Sequence, residues 1–159
     1  MKRAFFIVHS LSQAKAAVAA AAERNLAVTL LSAPGAAAFG GAGWFAALIR
    51  AARESRPGAD VAAILDCGPR ADLVQAAFRE ESKQVIFTGD ARQLRPLRDI
   101  ARQWQAEILC RRPEACDLRH AADPDSVCRT WLGATADLKK RRPSAIQKPA
   151  AGIKKRTGR

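Results

Sequence analysis

The 159-residue sequence predicts a parallel α/β domain, and three observations carry that prediction. Apolar runs of strand length alternate with stretches of helical periodicity almost from the first residue, which is the pattern of successive βα units. The runs are apolar nearly throughout instead of alternating with polar residues, as expected when helices cover both faces of a sheet. Most runs end on a small polar cluster, where an open parallel sheet binds its ligands.

The expected strands are Ala4 to Val8, Ala27 to Leu31, Val61 to Leu65, Gln84 to Phe87 and Glu107 to Cys110. Between the first two, Ser10 and Gln13 have the S-x-x-Q spacing of a capping box, so a helix should run from there through the alanines to about Arg24. A second helix is expected from about Trp44 to Glu54, with Trp44, Leu48, Ala51 and Ala52 inward, stopping before Pro57-Gly58. The third covers about Arg70 to Glu81 and turns Leu73, Val74, Ala77 and Phe78 inward. In the fourth, Leu97, Ile100, Ala101 and Trp104 share one face, and Pro96 is tolerable only near the first turn. Asp123-Pro124-Asp125 announces a last helix docked by Val127 and Trp131 and ending at Gly133.

The expected architecture is a doubly wound, five-stranded sheet of flavodoxin-like order 2-1-3-4-5, with a half (βα)8-barrel as the alternative, since successive βα units alone do not separate the two. Residues 1–138 form this domain, and 139–159 a basic tail expected to be disordered. That tail has no aromatic residue and cannot bury enough apolar surface to offset chain entropy. It also explains most of the net charge of +12: nine of the 27 Lys/Arg and none of the 15 Asp/Glu fall within it.

Met1-Lys2-Arg3 and the residues after it imitate a secretory leader, but the apolar run breaks at His9-Ser10, and Ser12, Gln13 and Lys15 follow. No stretch is long enough to span a membrane. The expectation is a cytoplasmic protein whose cysteines, Cys67, Cys110, Cys116 and Cys128, are reduced. Cys110, Cys116, His120 and Cys128 lack the knuckle spacing of a zinc site, so no metal is expected. The cofactor stays unassigned.

In the 2-1-3-4-5 order, His9 would face Asp66 and Cys67, with Thr88 on the other side, and these four are the catalytic candidates: a Cys67 thiolate activated by His9, or Asp66 as base. Asp66 and Thr88 also suit plain helix caps. The long loop after the second strand holds glycines, and Gly41-Ala42-Gly43-Trp44-Phe45-Ala46 matches G-x-G-x-x-A, although Ser32 to Gly40 separate it from the strand. Ser10, Ser32, Gly35, Gly41 and Gly43 are accordingly the candidates for holding a small anionic ligand. Arg92, Arg95, Arg98 and Arg102 line one side of the fourth helix and, with Lys139, Lys140, Arg141 and Arg142, offer a surface to non-specific nucleic acid or an acidic protein. Sequence-specific readout has no motif here.

Ile64-Leu65-Asp66, Ile86-Phe87-Thr88 and Arg112-Pro113 give the chain a topological resemblance to response-regulator receiver domains. That resemblance implies a phosphorylated aspartate at Asp66. However, His9-Ser10 replaces the acidic pair that would hold magnesium, and no lysine follows the fifth strand, so phosphotransfer is not expected. Ile7 to Ser10, Leu30 to Gly35, Gly43-Trp44-Phe45 and Leu65 to Gly68 resemble a group of small bacterial conserved proteins of unknown function. The leading expectation is a non-catalytic binding or regulatory module. The alternatives are a small enzyme using His9 with Asp66 or Cys67, and a nucleic-acid-associated protein acting through its tail.

Overall fold

A computed structural model describes residues 3–140, with side chains in the last helix up to Ala134. In chain order the elements are β1 (Arg3–Ile7), α1 (Leu11–Ala22), β2 (Ala27–Leu31), α2 (Gly41–Glu54), β3 (Val61–Asp66), α3 (Ala71–Arg79), β4 (Gln84–Ile86), α4 (Ala91–Gln103), β5 (Glu107–Leu109), β6 (Cys116–Asp117) and α5 (Pro124–Lys140). A short 3-10 turn, Ala36–Ala38, lies between β2 and α2.

The predicted α/β class holds, with every strand pair parallel, but the order across the sheet is β5-β4-β3-β2-β1-β6. The doubly wound 2-1-3-4-5 order is therefore wrong: β2 stands between β1 and β3. The chain steps one strand at a time in a single direction, and right-handed crossovers then place all helices on the same side. The buried residues agree. One apolar cluster joins Phe6, Leu30, Leu65, Val85 and Phe87 to inward residues of all five helices, among them Ala17, Phe45, Phe78, Leu97 and Leu132. A second contains Leu31, Ile64 and Ile86 with Phe5, Ile7, Leu109 and Ala115, and no helix contributes to it.

The strands nevertheless read as continuously apolar, because their other face is also covered. In a flat sheet, the five inter-strand steps from β5 to β6 would span roughly 24 Å. The seven Cα steps from Leu109 to Cys116 reach about that far only when fully extended. This connection runs as a strap across the helix-free face, with Ala115 packed on Leu31, Ile64 and Ile86. It delivers β6, an element the sequence did not announce because it is two residues long.

Local signals succeed where they are chemical. The Ser10 side chain caps α1 by accepting from the Gln13 N–H, and Asp90 caps α4 through Arg92 N–H. Alanines in α1 let it pack closely against the sheet, α2 and α5 at once. Expectations fail where packing decides. Phe45, not Trp44, turns inward from α2, and Trp44 stays 45% exposed, as does Trp104 at 39%. Pro96 sits well inside α4, where it removes the bond to the Arg92 carbonyl. α5 continues past the expected end at Gly133 to Lys140, and residues 141–159, where most of the expected tail falls, lie outside the described part.

Candidate active site

The carboxyl ends of the strands form a rim, and side-chain parity sorts the candidates along it. Val8, Cys67 and Phe87 belong to the helix-side cluster, so His9, Asp66 and Thr88, one residue out of phase, fall on the strap side. Cys67 is thereby removed from the site. It is 1% exposed, and burial, with the neighbouring Asp66 charge, pushes its thiol up to about 12. A nucleophile needs the opposite shift.

His9 and Asp66 stand at the same height, two residues beyond Ile7 and Ile64, which share the level of Leu31. With β2 between them their backbones are about 10 Å apart, so the expected direct pairing is absent. Each has a different partner, and both partners come from the strap or the strand that it delivers.

Asp66 is saturated. Its Oδ1 accepts from Gly35 N–H at 3.0 Å and Gly68 N–H at 2.8 Å, and its Oδ2 from the Arg112 guanidinium. Arg112 also donates to the Ser32 carbonyl at 2.8 Å, and the Ser32 hydroxyl accepts from Asp66 N–H at 2.9 Å. Gly35 and Gly68 both sit at positive φ, 65° and 55°, which points their amides inward at the carboxylate. The structure thus brings together Ser32, Gly35 and Asp66 from the predicted set, as a closed network tying two loops to the strap.

His9 is not saturated. Its Nε2 lies 2.7 Å from Asp117 Oδ1, its side chain is 22% exposed, and Nδ1 has no partner among the described residues. Burial acts to raise the Asp117 carboxyl, but hydrogen bonds from His9 and the Arg119 N–H outweigh it and hold the group below its ordinary 3.8. An ionised Asp117 only accepts, so Nε2 carries the proton, and whenever the ring is in its neutral form the lone pair is at Nδ1. Ser10 beside it is occupied as the cap of α1 and by Ser12 Oγ at 3.0 Å. Sequence reasoning missed Asp117, whose only signal was an acid shortly after the fifth strand.

The remaining candidates do not converge on this pair. Thr88 is exposed, and its N–H donates to the Gly68 carbonyl at 2.9 Å. Gly41 and Gly43 lie within the first turn of α2, and a side-chain carbon at Gly43 would come 3.8 Å from the Glu80 carboxylate. On α4, Arg92 pairs with Asp90 and Arg102 with Asp99, Arg98 lies 3.8 Å from Cys110 Sγ, and Arg95 has no partner among the described residues. Lys139 and Lys140 fall in α5 beyond the described side chains, and Arg141 and Arg142 lie outside the described residues.

A family model described as fructose-bisphosphate aldolase class-II matches residues 3–96, more than half of the chain. The chain belongs to the class-II fructose-bisphosphate aldolase family. This corrects both resemblances drawn from the sequence, to receiver domains and to small proteins of unknown function, and it overturns the leading expectation of a non-catalytic binding or regulatory module. No curated protein matches the chain. The matched segment contains His9, Ser32 and Asp66, whereas Arg112 and Asp117 lie beyond it. The class-II designation implies a divalent cation. A catalytic zinc ion takes three protein ligands, and among the described residues no three His, Cys, Asp or Glu side chains converge. The described donor set does not fit a zinc ion held in that way. No described helix is long and apolar enough to cross a membrane.

Proposed function

We propose that this protein is an aldolase-type enzyme acting on a hydroxy-carbonyl substrate of the sugar-phosphate class, with His9, held by Asp117, as the group that moves the proton. The family match supports the reaction class. The observation that carries the site is the 2.7 Å contact between His9 Nε2 and Asp117 Oδ1 on the rim of a parallel sheet. Aldol cleavage removes a proton from a hydroxyl and returns one to the carbon that is released. A partly exposed imidazole with one nitrogen fixed by a carboxylate and the other without a partner among the described residues is suited to both transfers.

The fold supports the same reading in its finer form. Strands added one by one in a single direction, with all helices outside, are wound like part of a (βα)8-barrel, and enzymes of that fold keep their sites at the carboxyl ends of the strands. In this reading the strap takes the place of the missing barrel strands, and Asp66 with Arg112 braces the rim.

The test is cleavage of fructose bisphosphate and related ketose phosphates by the full chain, alongside exchange of the donor-carbon proton with solvent. His9→Gln should lower both by about 10²–10⁴-fold. Full activity in that variant would sink the role of His9, and an inactive wild type across the substrate series would sink the reaction class.

A further inference from the structure

We infer that Gln13 is the positioning residue of the His9–Asp117 pair, an inference that rests on the reading of that pair as the proton-transfer site. Neither member of the pair is well anchored by its own element. β1 ends at Ile7, two residues before His9, and Asp117 is the last residue of a strand only two residues long. Backbone bonding between the two segments at this level includes the Leu118 N–H donating to the Ile7 carbonyl at 3.1 Å.

The Gln13 side chain supplies the missing connection. Its Oε1 accepts from the His9 N–H at 2.8 Å, and its Nε2 donates to the Leu118 carbonyl at 2.8 Å. One planar amide, 105 positions before Leu118, thus joins the backbone of His9 itself to the residue directly after Asp117. The orientation is fixed by chemistry, since only the oxygen can accept and only the nitrogen can donate. The clamp is itself rigid. Gln13 lies in the first turn of α1, its N–H donates to the capping Ser10 Oγ at 3.3 Å, and the next turns are buried through Ala14, Ala17 and Val18.

The capping-box spacing is therefore used in an altered way. The usual arrangement would return the Gln13 side chain to the Ser10 N–H; here it reaches one residue further back, to His9. A residue that served only to cap α1 would have no need of Leu118. Gln13 sets the separation of the two backbones, and through it the approach of Nε2 to Oδ1, through bonds to backbone atoms alone.

The experiment compares wild type, Gln13→Met, which keeps the length and loses both polar groups, and Gln13→Glu, which keeps the acceptor and loses the donor. The readout is the imidazole nitrogen spectrum by NMR. The sequence holds only two histidines, so His120 is an internal control. Wild type should show His9 as the Nε2–H form with a slowly exchanging ring proton. Both variants should lose that proton signal and mix tautomers, while His120 stays unchanged and a cooperative melt confirms folding. In cleavage assays kcat should fall ten- to a hundredfold with KM within about twofold, the mark of a misplaced group rather than lost binding. If folded Gln13→Met retains the ordered His9 Nε2–H signal, the inference is overturned whatever its activity. If Gln13→Met does not fold, Gln13→Glu decides by the same signal. A wild type that cleaves no substrate refutes the proposed reaction alone, and the NMR comparison still tests the clamp.

Discussion

Two carboxylates stand on the strap side of the same rim, and they are put to opposite uses. Asp66, 5% exposed, has its oxygens taken by two backbone amides and a guanidinium. Asp117, 43% exposed, holds one imidazole and one backbone amide, and leaves that imidazole with an open nitrogen. A closed network rigidifies, because every group in it would cost free energy to unpair. Chemistry needs a group whose capacity is not spent. Asp66, one of the four catalytic candidates in the sequence, has its hydrogen-bonding capacity spent, and the acid that holds the histidine lies on the shortest of the described strands.

The sharpest way to break this contrast is Arg112→Met. It leaves the buried Asp66 charge with backbone donors alone, and should cost about 3–5 kcal/mol in urea unfolding. A loss below about 1 kcal/mol would mean that Asp66 is not the brace described. Next in size is Gly35→Ala. A methyl group there meets nothing within 4 Å, but φ is 65°, so the cost is conformational and should be about 1–2 kcal/mol by the same measurement. An unchanged stability would show that the loop adopts another backbone path.

The smallest stability effect belongs to Asp117→Asn, below about 1 kcal/mol, since the pair is half-exposed and screened. Because the folded carboxyl titrates below 3.8, its contribution is present at neutral pH and disappears as pH falls through the lowered folded value. The stability difference between wild type and variant should therefore close in acid, while cleavage activity at neutral pH falls in the variant. A variant equally active but several kcal/mol less stable would reverse the roles given to the two acids.

Much of the scaffold was legible from local chemistry. Ser10 and Asp90 cap because their oxygens reach amides within the next three residues, and β1 to β5 are apolar because both of their faces are covered. Half of the candidate site was legible too, since His9 follows the first strand wherever that strand is placed. Its partner was not. Asp117 meets His9 only because the connection after Leu109 crosses the whole sheet and comes down beside β1. The misreadings at Trp44 and Trp104 have the same origin: a periodic face is computed from spacing, but which residues go inward depends on what the neighbouring helix leaves room for.

The sequence by itself determined which segments become strands and helices, where most of them start, and that polar residues collect at one end of the strands, because each of these follows from interactions within a few residues. Strand order, the single helical layer, the strap and the pairing of His9 with Asp117 were decided only by tertiary structure. Parallel strands exchange the same kind of hydrogen bonds in any order, and a contact between residues 108 positions apart leaves no periodicity to read.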